Sequence, residues 1–155
     1  MATEAVVSTE PKTATKEGFQ PRIVAFCCNY CAYAAADLAG SMRLSYPPDA
    51  RIIRLPCSGK VEILYILRAI EDGADGVMVM GCLEGDCHFM NGNYRAKKRV
   101  AAARQMIAAT GIEPERVEMF NLSSAMAAKF GEAIREMTEK VKRLGPSPLR
   151  RSVTK

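Results

Sequence analysis

Short apolar runs alternate along this chain with longer segments in which apolar residues recur at helical spacing. Four of the runs have the length and composition of β-strands: residues 22–26, 51–55, 76–80 and 116–120. The repeated strand–helix order predicts a single α/β domain built on a four-stranded parallel sheet. Helices are expected to flank this sheet in a doubly wound, flavodoxin-like arrangement.

Each run is followed by a segment that predicts a helix. The four helices are expected over about 32–44, 60–72 and 94–109, and after Ser123 or Ser124. Asn93 is expected to cap the third helix, because asparagine side chains accept hydrogen bonds from the first free N–H groups. The fourth helix carries one apolar stripe from Met126 to Val141, which predicts that it packs on the sheet.

The two ends of the chain differ from the region between them. Residues 1–20 are polar and show no apolar period, which predicts a disordered N-terminal extension. The domain is expected over residues 21–144, and two prolines predict that residues 145–155 form an extended or disordered tail. No apolar run approaches the roughly 20 residues of a membrane helix, and nothing in residues 1–20 resembles a secretion signal. We therefore expect a cytoplasmic protein with no membrane span.

Composition narrows the classes of function. The 155 residues carry a net charge of +5, and they include no tryptophan and only 6% aromatic residues. Positive charge without an aromatic platform or a recognisable motif argues against nucleic-acid binding. The basic balance favours either simple solubility or contact with an acidic partner protein.

All six cysteines lie directly after predicted strands. The first strand is followed by Cys27, Cys28 and Cys31, the second by Cys57, and the third by Cys82 and Cys87. Because the carboxyl ends of parallel strands share one edge of the sheet, these thiols are expected to converge there. A thiolate at the start of a helix also has a lowered pKa, which makes it available as a metal ligand or a nucleophile.

Three kinds of chemistry are compatible with such a group of thiols. An iron–sulfur cluster takes four thiolates and backbone donors, which flanking glycines allow to approach closely. A zinc site also takes four cysteines and would make the chain an adaptor. The third possibility is a thiol–disulfide oxidoreductase that uses Cys28 and Cys31, but this chemistry leaves Cys57, Cys82 and Cys87 without a role.

Two further features lie beside the third group of cysteines. His88 is the only histidine, which excludes a Rieske centre because that centre needs two. We expect His88 to be a hydrogen-bond donor or a loop residue rather than a ligand. The next helix carries four basic residues, Arg95, Lys97, Lys98 and Arg99. They form either a solvated helix face or a positively charged surface, which would balance the negative charge of the thiolates or bind a partner protein.

Six segments, taken in order, match the motifs of one family. They are residues 28–40 (CNYCAYAAADLAG), 46–48 (YPP), 51–54 (RIIR), 57–59 (CSG), 73–77 (GADGV) and 81–94 (GCLEGDCHFMNGNY). In these segments the chain resembles the delta subunit of methyl-viologen-reducing hydrogenase, the MvhD/FlpD iron–sulfur family. The resemblance covers about Arg22 to Gly145. It departs from the family at Tyr30, where tryptophan is common, and at Cys27, where an aliphatic residue is usual.

The resemblance implies a non-catalytic electron-transfer subunit that carries one [2Fe–2S] cluster. Such a protein relays electrons between a hydrogenase or formate dehydrogenase-type module and the flavin subunit of a heterodisulfide reductase-like complex. The motif cysteines correspond to Cys28, Cys31, Cys57, Cys82 and Cys87, which are five residues for four ligand places. The implied ligands are Cys57, Cys82 and Cys87 with one of Cys28 and Cys31, and Cys28 is favoured by its place at the strand end.

Overall fold

A computed structural model of the chain describes residues 18–151. Most of the predicted N-terminal extension, and the last four residues of the predicted tail, therefore lie outside the described residues. Within the described range the chain forms four strands and four α-helices. In order they are β1 (Ile23–Cys28), α1 (Ala34–Ser41), β2 (Ala50–Leu55), α2 (Ile63–Glu71), β3 (Gly76–Gly81), α3 (Gly92–Ala109), β4 (Val117–Asn121) and α4 (Ala127–Leu144).

The four strands form one parallel sheet in the order β2-β1-β3-β4. Helices α1 and α4 contribute to the core on one face of the sheet, and α2 and α3 to the core on the other. The predicted fold class is therefore confirmed. The chain leaves β1 towards β2 but leaves β3 towards β4, so the connections diverge between the two central strands. In a doubly wound sheet this point of divergence opens a crevice at the carboxyl ends of the strands.

Strand β3 is buried along its whole length, as expected for a central strand that is apolar on both faces. Its alternate residues supply both cores: Met78 and Met80 pack with α1 and α4, whereas Val77 and Val79 pack with α2 and α3. The small residues of α1, including Ala35 and Ala39, are buried in the first of these cores. Alanine in these positions allows a close approach of helix and sheet backbones.

Four predicted helix boundaries are wrong. Helix α2 starts at Ile63 rather than near residue 60, because Ser58–Lys60 form a separate 3-10 turn. Helix α1 ends at Ser41 rather than near residue 44, because Arg43 adopts a left-handed φ of 54° and its N–H donates to Gly40 O at 3.0 Å. Helix α4 starts at Ala127 without a side-chain cap, because residues 123–126 form a separate turn in which Met126 N–H donates to Ser123 O at 3.1 Å. Helix α3 begins at Gly92, so Asn93 lies inside the helix and does not cap it.

A buried carboxylate links the amino ends of the strands to residues of the predicted tail. The Asp75 side chain is fully buried and accepts hydrogen bonds from Arg22 N, Ser147 N and the Arg150 guanidinium, at 2.8, 2.8 and 2.7 Å. The guanidinium of Arg116, 1% exposed, donates to the carbonyl oxygens of Asp75 and Gly145 at 3.0 Å each. Residues 145–150 therefore lie against their own domain.

Replacing this carboxylate tests its contribution to stability. We expect Asp75→Asn to lower the free energy of unfolding by about 2–4 kcal/mol, because an amide cannot accept all three bonds and leaves buried donors unsatisfied. Urea unfolding followed by circular dichroism measures the change. Asp72→Asn is the matched control: its side chain is 60% exposed and, within residues 18–151, pairs only with Arg68, so a change below about 0.5 kcal/mol is expected. Equal effects of the two substitutions would contradict this role of Asp75.

Candidate metal centre

The cysteines meet at the carboxyl edge of the sheet, beside the point where the connections diverge. Cys28 is the last residue of β1, and Cys82 follows the last residue of the neighbouring strand β3. Cys57 lies two residues beyond β2, and Cys87 lies in the loop between β3 and α3. The parallel order of the strands alone brings these four segments to one place, as the sequence predicts.

Three sulfur atoms form the tightest group. The Sγ atoms of Cys28, Cys31 and Cys82 all lie within 4.8 Å of one another, and those of Cys28 and Cys82 are 3.7 Å apart. A π-helical turn, Asn29–Tyr33, follows β1 directly and returns Cys31 towards Cys28. In that turn the Ala32 N–H donates to Cys28 Sγ at 3.4 Å. Burial and its two sulfur neighbours, Cys31 and Cys28, raise the pKa of Cys82.

Cys57 and Cys87 form a second pair of thiols, because both Sγ atoms lie beside Gly92, at 2.1 and 3.2 Å from the position that a Cβ atom would take there. Burial raises the pKa of Cys57, the Gly59 N–H opposes this, and the charges of Cys87 and Cys28 raise it further. Burial also raises the pKa of Cys31, to which the charges of Cys28 and Cys87 contribute. The charges of Cys28 and Cys87 thus act across both groups of thiols, which lie at the same edge of the sheet.

The start of α3 stabilises negative charge on Cys87. Burial raises the pKa of this thiol, but backbone N–H groups of Asn93, Phe89 and Gly92 outweigh that effect, and the pKa lies below its ordinary value. Free N–H groups and the positive end of the helix dipole are a general feature of helix starts. The same hydrogen bonds stabilise a thiolate that ligates a metal.

Gly92 lies within the matched segment 81–94, but the sequence alone assigned it no role at the site. A Cβ atom there would lie 2.1 Å from Cys57 Sγ and 3.2 Å from Cys87 Sγ, and the first of these separations is one that no real side chain tolerates. The facing residue is also glycine: a Cβ on Gly59 would lie 2.8 Å from the Gly92 Cα. The two backbones therefore touch, and this contact seats the Cys57 loop on the start of α3. The only hint in the sequence was the pair of glycines next to cysteine motifs.

Two asparagines and one arginine hold the loops that carry the thiols. The Asn93 amide donates to the carbonyl oxygens of Cys82 and Leu83 at 3.3 and 2.8 Å, and the Asn121 amide also donates to Cys82 O, at 2.7 Å. Arg99 donates to Gly59 O at 2.6 Å. Arg99 is thus a support of the Cys57 loop rather than part of a solvated face, whereas Lys97 is exposed and pairs with Glu84 at 2.6 Å.

Cys27 lies apart from the other thiols. Its side chain is fully buried in the core between the sheet and α1 and α4, and its Sγ lies 3.8 Å from Met80 Sδ. Burial, followed by the charge of Cys28, raises the pKa of Cys27 to about 12. The thiol is therefore protonated at neutral pH and behaves as a small apolar core residue.

The residues present fit an iron–sulfur cluster. Five thiols offer more than the four ligands required, backbone N–H groups point at Cys28, Cys57 and Cys87, and glycine leaves room beside the last two. Ser58 Oγ, next to Cys57, is buried and has no hydrogen-bond partner among the described residues. Such an orphaned hydroxyl is consistent with a further acceptor in this crevice, such as a cluster sulfide.

A cavity in the described region lies apart from the cysteine site. It has a volume of about 720 Å³ and opens beside β2 and α2, where Ile53, Tyr65 and Arg68 line it, and none of its lining residues is a cysteine. Among residues 18–151, no helix has both the length and the apolar character needed to cross a membrane.

Comparison with known proteins agrees with this geometry. The chain is similar to the vhu iron–sulfur subunit of F420-non-reducing hydrogenase from Methanocaldococcus jannaschii, with 50% identity over 130 residues, or 84% of this chain and 97% of that protein. It is 46% identical over 130 residues to the iron–sulfur subunit of F420-non-reducing hydrogenase from Archaeoglobus profundus, or 84% of this chain and 95% of that protein.

A third similarity is to part of a much longer protein. This protein belongs to the ferredoxin:CoB-CoM heterodisulfide reductase of Methanosarcina mazei, and we call it the long reductase subunit. It is 40% identical over 136 residues, which are 86% of this chain but 17% of that protein. The family described as "Methyl-viologen-reducing hydrogenase, delta subunit" matches residues 23–145, which include all six cysteines. The resemblance seen in the sequence is confirmed, and the chain belongs to the family of the delta subunit of methyl-viologen-reducing hydrogenase.

Proposed function

We propose that this chain is a non-catalytic electron-transfer subunit that carries one [2Fe–2S] cluster at the carboxyl edge of its sheet. The observation that carries the proposal is the convergence of Cys28, Cys31, Cys57, Cys82 and Cys87 around backbone donors. When bound, the cluster supplies one-electron redox chemistry. The protein residues hold it, neutralise its negative charge through N–H groups and limit its contact with water.

We assign the cluster ligands to Cys28, Cys57, Cys82 and Cys87. Cys28, Cys57 and Cys87 each accept backbone N–H hydrogen bonds, and Cys82 lies 3.7 Å from Cys28. Cys31 is the fifth thiol of the site and lies within the π-helical turn, where it is partly exposed. A Cys28–Cys31 dithiol enzyme needs only two of these thiols. A zinc adaptor would use four cysteines, as the cluster does, so metal content distinguishes those two alternatives.

We further propose that the protein works in the cytoplasm. Its electron donor would be a hydrogenase or formate dehydrogenase-type module, and its acceptor the flavin subunit of a heterodisulfide reductase-like complex. The names of the two hydrogenase relatives support the first type of partner. The second is supported by the long reductase subunit of Methanosarcina mazei, which contains a similar domain within its own chain. When two domains form one chain in one organism, separate chains that correspond to them in another organism commonly bind one another.

The cluster type has a direct spectroscopic test. Anaerobic protein reduced with dithionite is expected to show a slowly relaxing S = 1/2 electron paramagnetic resonance signal, with about two iron and two sulfide per chain. Four iron per chain would indicate a different cluster. Zinc without iron would support the adaptor, and a metal-free protein with a redox-active dithiol would support the oxidoreductase. Each of these three results would overturn the proposal.

Single substitutions test the ligand assignment. Alanine at Cys28, Cys57, Cys82 or Cys87 is expected to remove most of the iron, since a cluster cannot replace a missing thiolate with water without becoming labile. Cys27→Ala is the matched control, because this neighbour of Cys28 is a core residue, and its iron content should stay within about 20% of the unchanged protein. Cys31→Ala should also retain the cluster. Iron loss in Cys31→Ala together with retention in Cys28→Ala would exchange the roles of these two residues.

The close approach at Gly92 gives a second test of the site. Gly92→Ala is expected to lower iron per folded chain roughly fivefold or more, because the added Cβ displaces Cys57 Sγ and nothing in a packed site absorbs the shift. Gly40→Ala in α1 is the control, since a Cβ there meets no atom within 4 Å and should stabilise the helix by up to about 1 kcal/mol. Full iron content in Gly92→Ala would show that Cys57 is not held where the proposal needs it.

A further inference from the structure

An exposed patch of large side chains lies directly outside the cysteine site. It consists of Tyr30, His88, Phe89 and Met90, and we call it the aromatic patch. Tyr30 is 44% exposed, Phe89 51% and Met90 79%. Tyr30 lies between Cys28 and Cys31, and His88 follows Cys87 directly. Contiguous large side chains at the surface are uncommon unless they bind something, and two of these, Tyr30 and His88, are chain neighbours of the motif cysteines Cys31 and Cys87.

The rings of the aromatic patch pack into one continuous surface. The Tyr30 and His88 rings stack with centroids 3.8 Å apart and an interplanar angle of 15°. Phe89 contacts both rings edge-on, with centroid distances of 5.7 Å to Tyr30 and 5.1 Å to His88. The stack joins the turn after β1 to the loop before α3, so it connects two of the cysteine-bearing segments. Ordered aromatic side chains lose little entropy on binding, which makes them effective interface residues.

The backbone presents Met90 to solvent in an unusual way. Met90 has a left-handed φ of 62°, although it is not a glycine. It is the central residue of a three-residue turn in which Asn91 N–H donates to Phe89 O at 2.7 Å, and its own N–H donates to Cys87 O at 2.9 Å. This uncommon conformation does not serve to bury the Met90 side chain, because that side chain is exposed. Uncommon backbone conformations of this kind are concentrated at functional sites.

Positive charge borders the aromatic patch. Helix α3 begins two residues after Met90, and Arg95 and Lys98 are exposed on its first two turns. Glu84 nearby is already paired with Lys97, and the exposed Asp86, two residues before His88, offsets only one of the two positive charges of Arg95 and Lys98. A complementary surface would therefore be apolar at its centre and acidic at its rim.

We propose that the aromatic patch is the surface on which the heterodisulfide reductase-type partner docks, through a face with an apolar centre and an acidic rim. This inference rests on the proposed function, from which it takes the identity of the partner. The apolar character of the patch suits a lasting contact better than a transient one, since permanent interfaces are the more hydrophobic. Of the two proposed partners, the reductase is the one to which a similar domain is permanently joined, in Methanosarcina mazei. Docking here places the partner directly over Cys31 and Cys87.

The test measures binding and cluster content in the same samples. The full chain and the flavin subunit of the reductase-like complex from the same organism are purified anaerobically, and their dissociation constant is measured by sedimentation. Met90→Glu is expected to raise this constant at least about tenfold, because it places an acidic group at the apolar centre of the interface. Phe89→Ala is the second variant and should weaken binding in the same direction. Added sodium chloride should weaken binding of the unchanged chain, as expected for a basic rim against an acidic one.

Met106→Glu is the matched control. Met106 is also an exposed methionine, 48% exposed, but it lies about 21 Å along α3 from the start of that helix. It should leave the dissociation constant unchanged. If neither Met90→Glu nor Phe89→Ala weakens binding, or if the control weakens it equally, the docking surface is wrong. If the patch variants weaken binding to the hydrogenase-type module and not to the reductase-type partner, the proposed docking surface is also wrong.

Iron content and the electron paramagnetic resonance signal separate this inference from the proposed function. If Met90→Glu weakens binding and leaves the electron paramagnetic resonance signal unchanged, the result supports both the electron relay and the docking surface. A chain that contains no iron–sulfur cluster but loses affinity in the patch variants retains the docking surface and overturns the relay. A cluster-containing chain whose affinity is insensitive to both patch variants overturns the docking surface alone. A chain that does not bind the reductase-type partner overturns the choice of partner and the docking surface together.

Discussion

Burial of several thiolates side by side is the constraint on which this site depends. Five thiols share the carboxyl edge of the sheet, where burial first, and the charges of neighbouring thiolates second, raise the pKa of Cys31 and Cys57. Backbone N–H groups oppose the repulsion at Cys28, Cys57 and Cys87. Peptide dipoles of this kind are fixed by the fold, so they stabilise charge without any rearrangement. A bound iron–sulfur cluster, as proposed, would supply the positive iron that the thiolates otherwise lack.

Close backbone packing is the second requirement of the site. Gly59 and Gly92 touch through their main chains, and Arg99 donates to the carbonyl oxygen of the first of these glycines. Asn93 and Asn121 hold the carbonyl oxygen of Cys82 from two different elements. The thiols are thus positioned by residues that carry no redox chemistry themselves. Such supporting residues set the potential and the lability of a metal centre as much as its ligands do.

The amino and carboxyl ends of the strands have different roles. At the amino edge, the buried carboxylate of Asp75 ties together β1 and residues 145–150. At the carboxyl edge, polar groups hold cysteine loops, and large apolar side chains remain at the surface. This division leaves the carboxyl edge free to serve the redox site and its proposed partner, because the stabilising ion pair lies at the other end.

The sequence alone determined the strand–helix order, the parallel sheet and the convergence of the cysteines, because these follow from hydrophobic periodicity and from the shared edge of parallel strands. The tertiary structure decided which thiols lie beside one another. Both faces of β1 are buried, so the pattern contains no signal that places Cys27 against Met80 and Cys28 against Cys82. Gly92 is required by a sulfur atom 35 residues away along the chain. The Asn93 amide donates to the distant carbonyl oxygens of Cys82 and Leu83, in addition to accepting from the Tyr94 N–H of its own helix. Contacts between residues so far apart in sequence leave no local pattern, and only the folded chain brings them together.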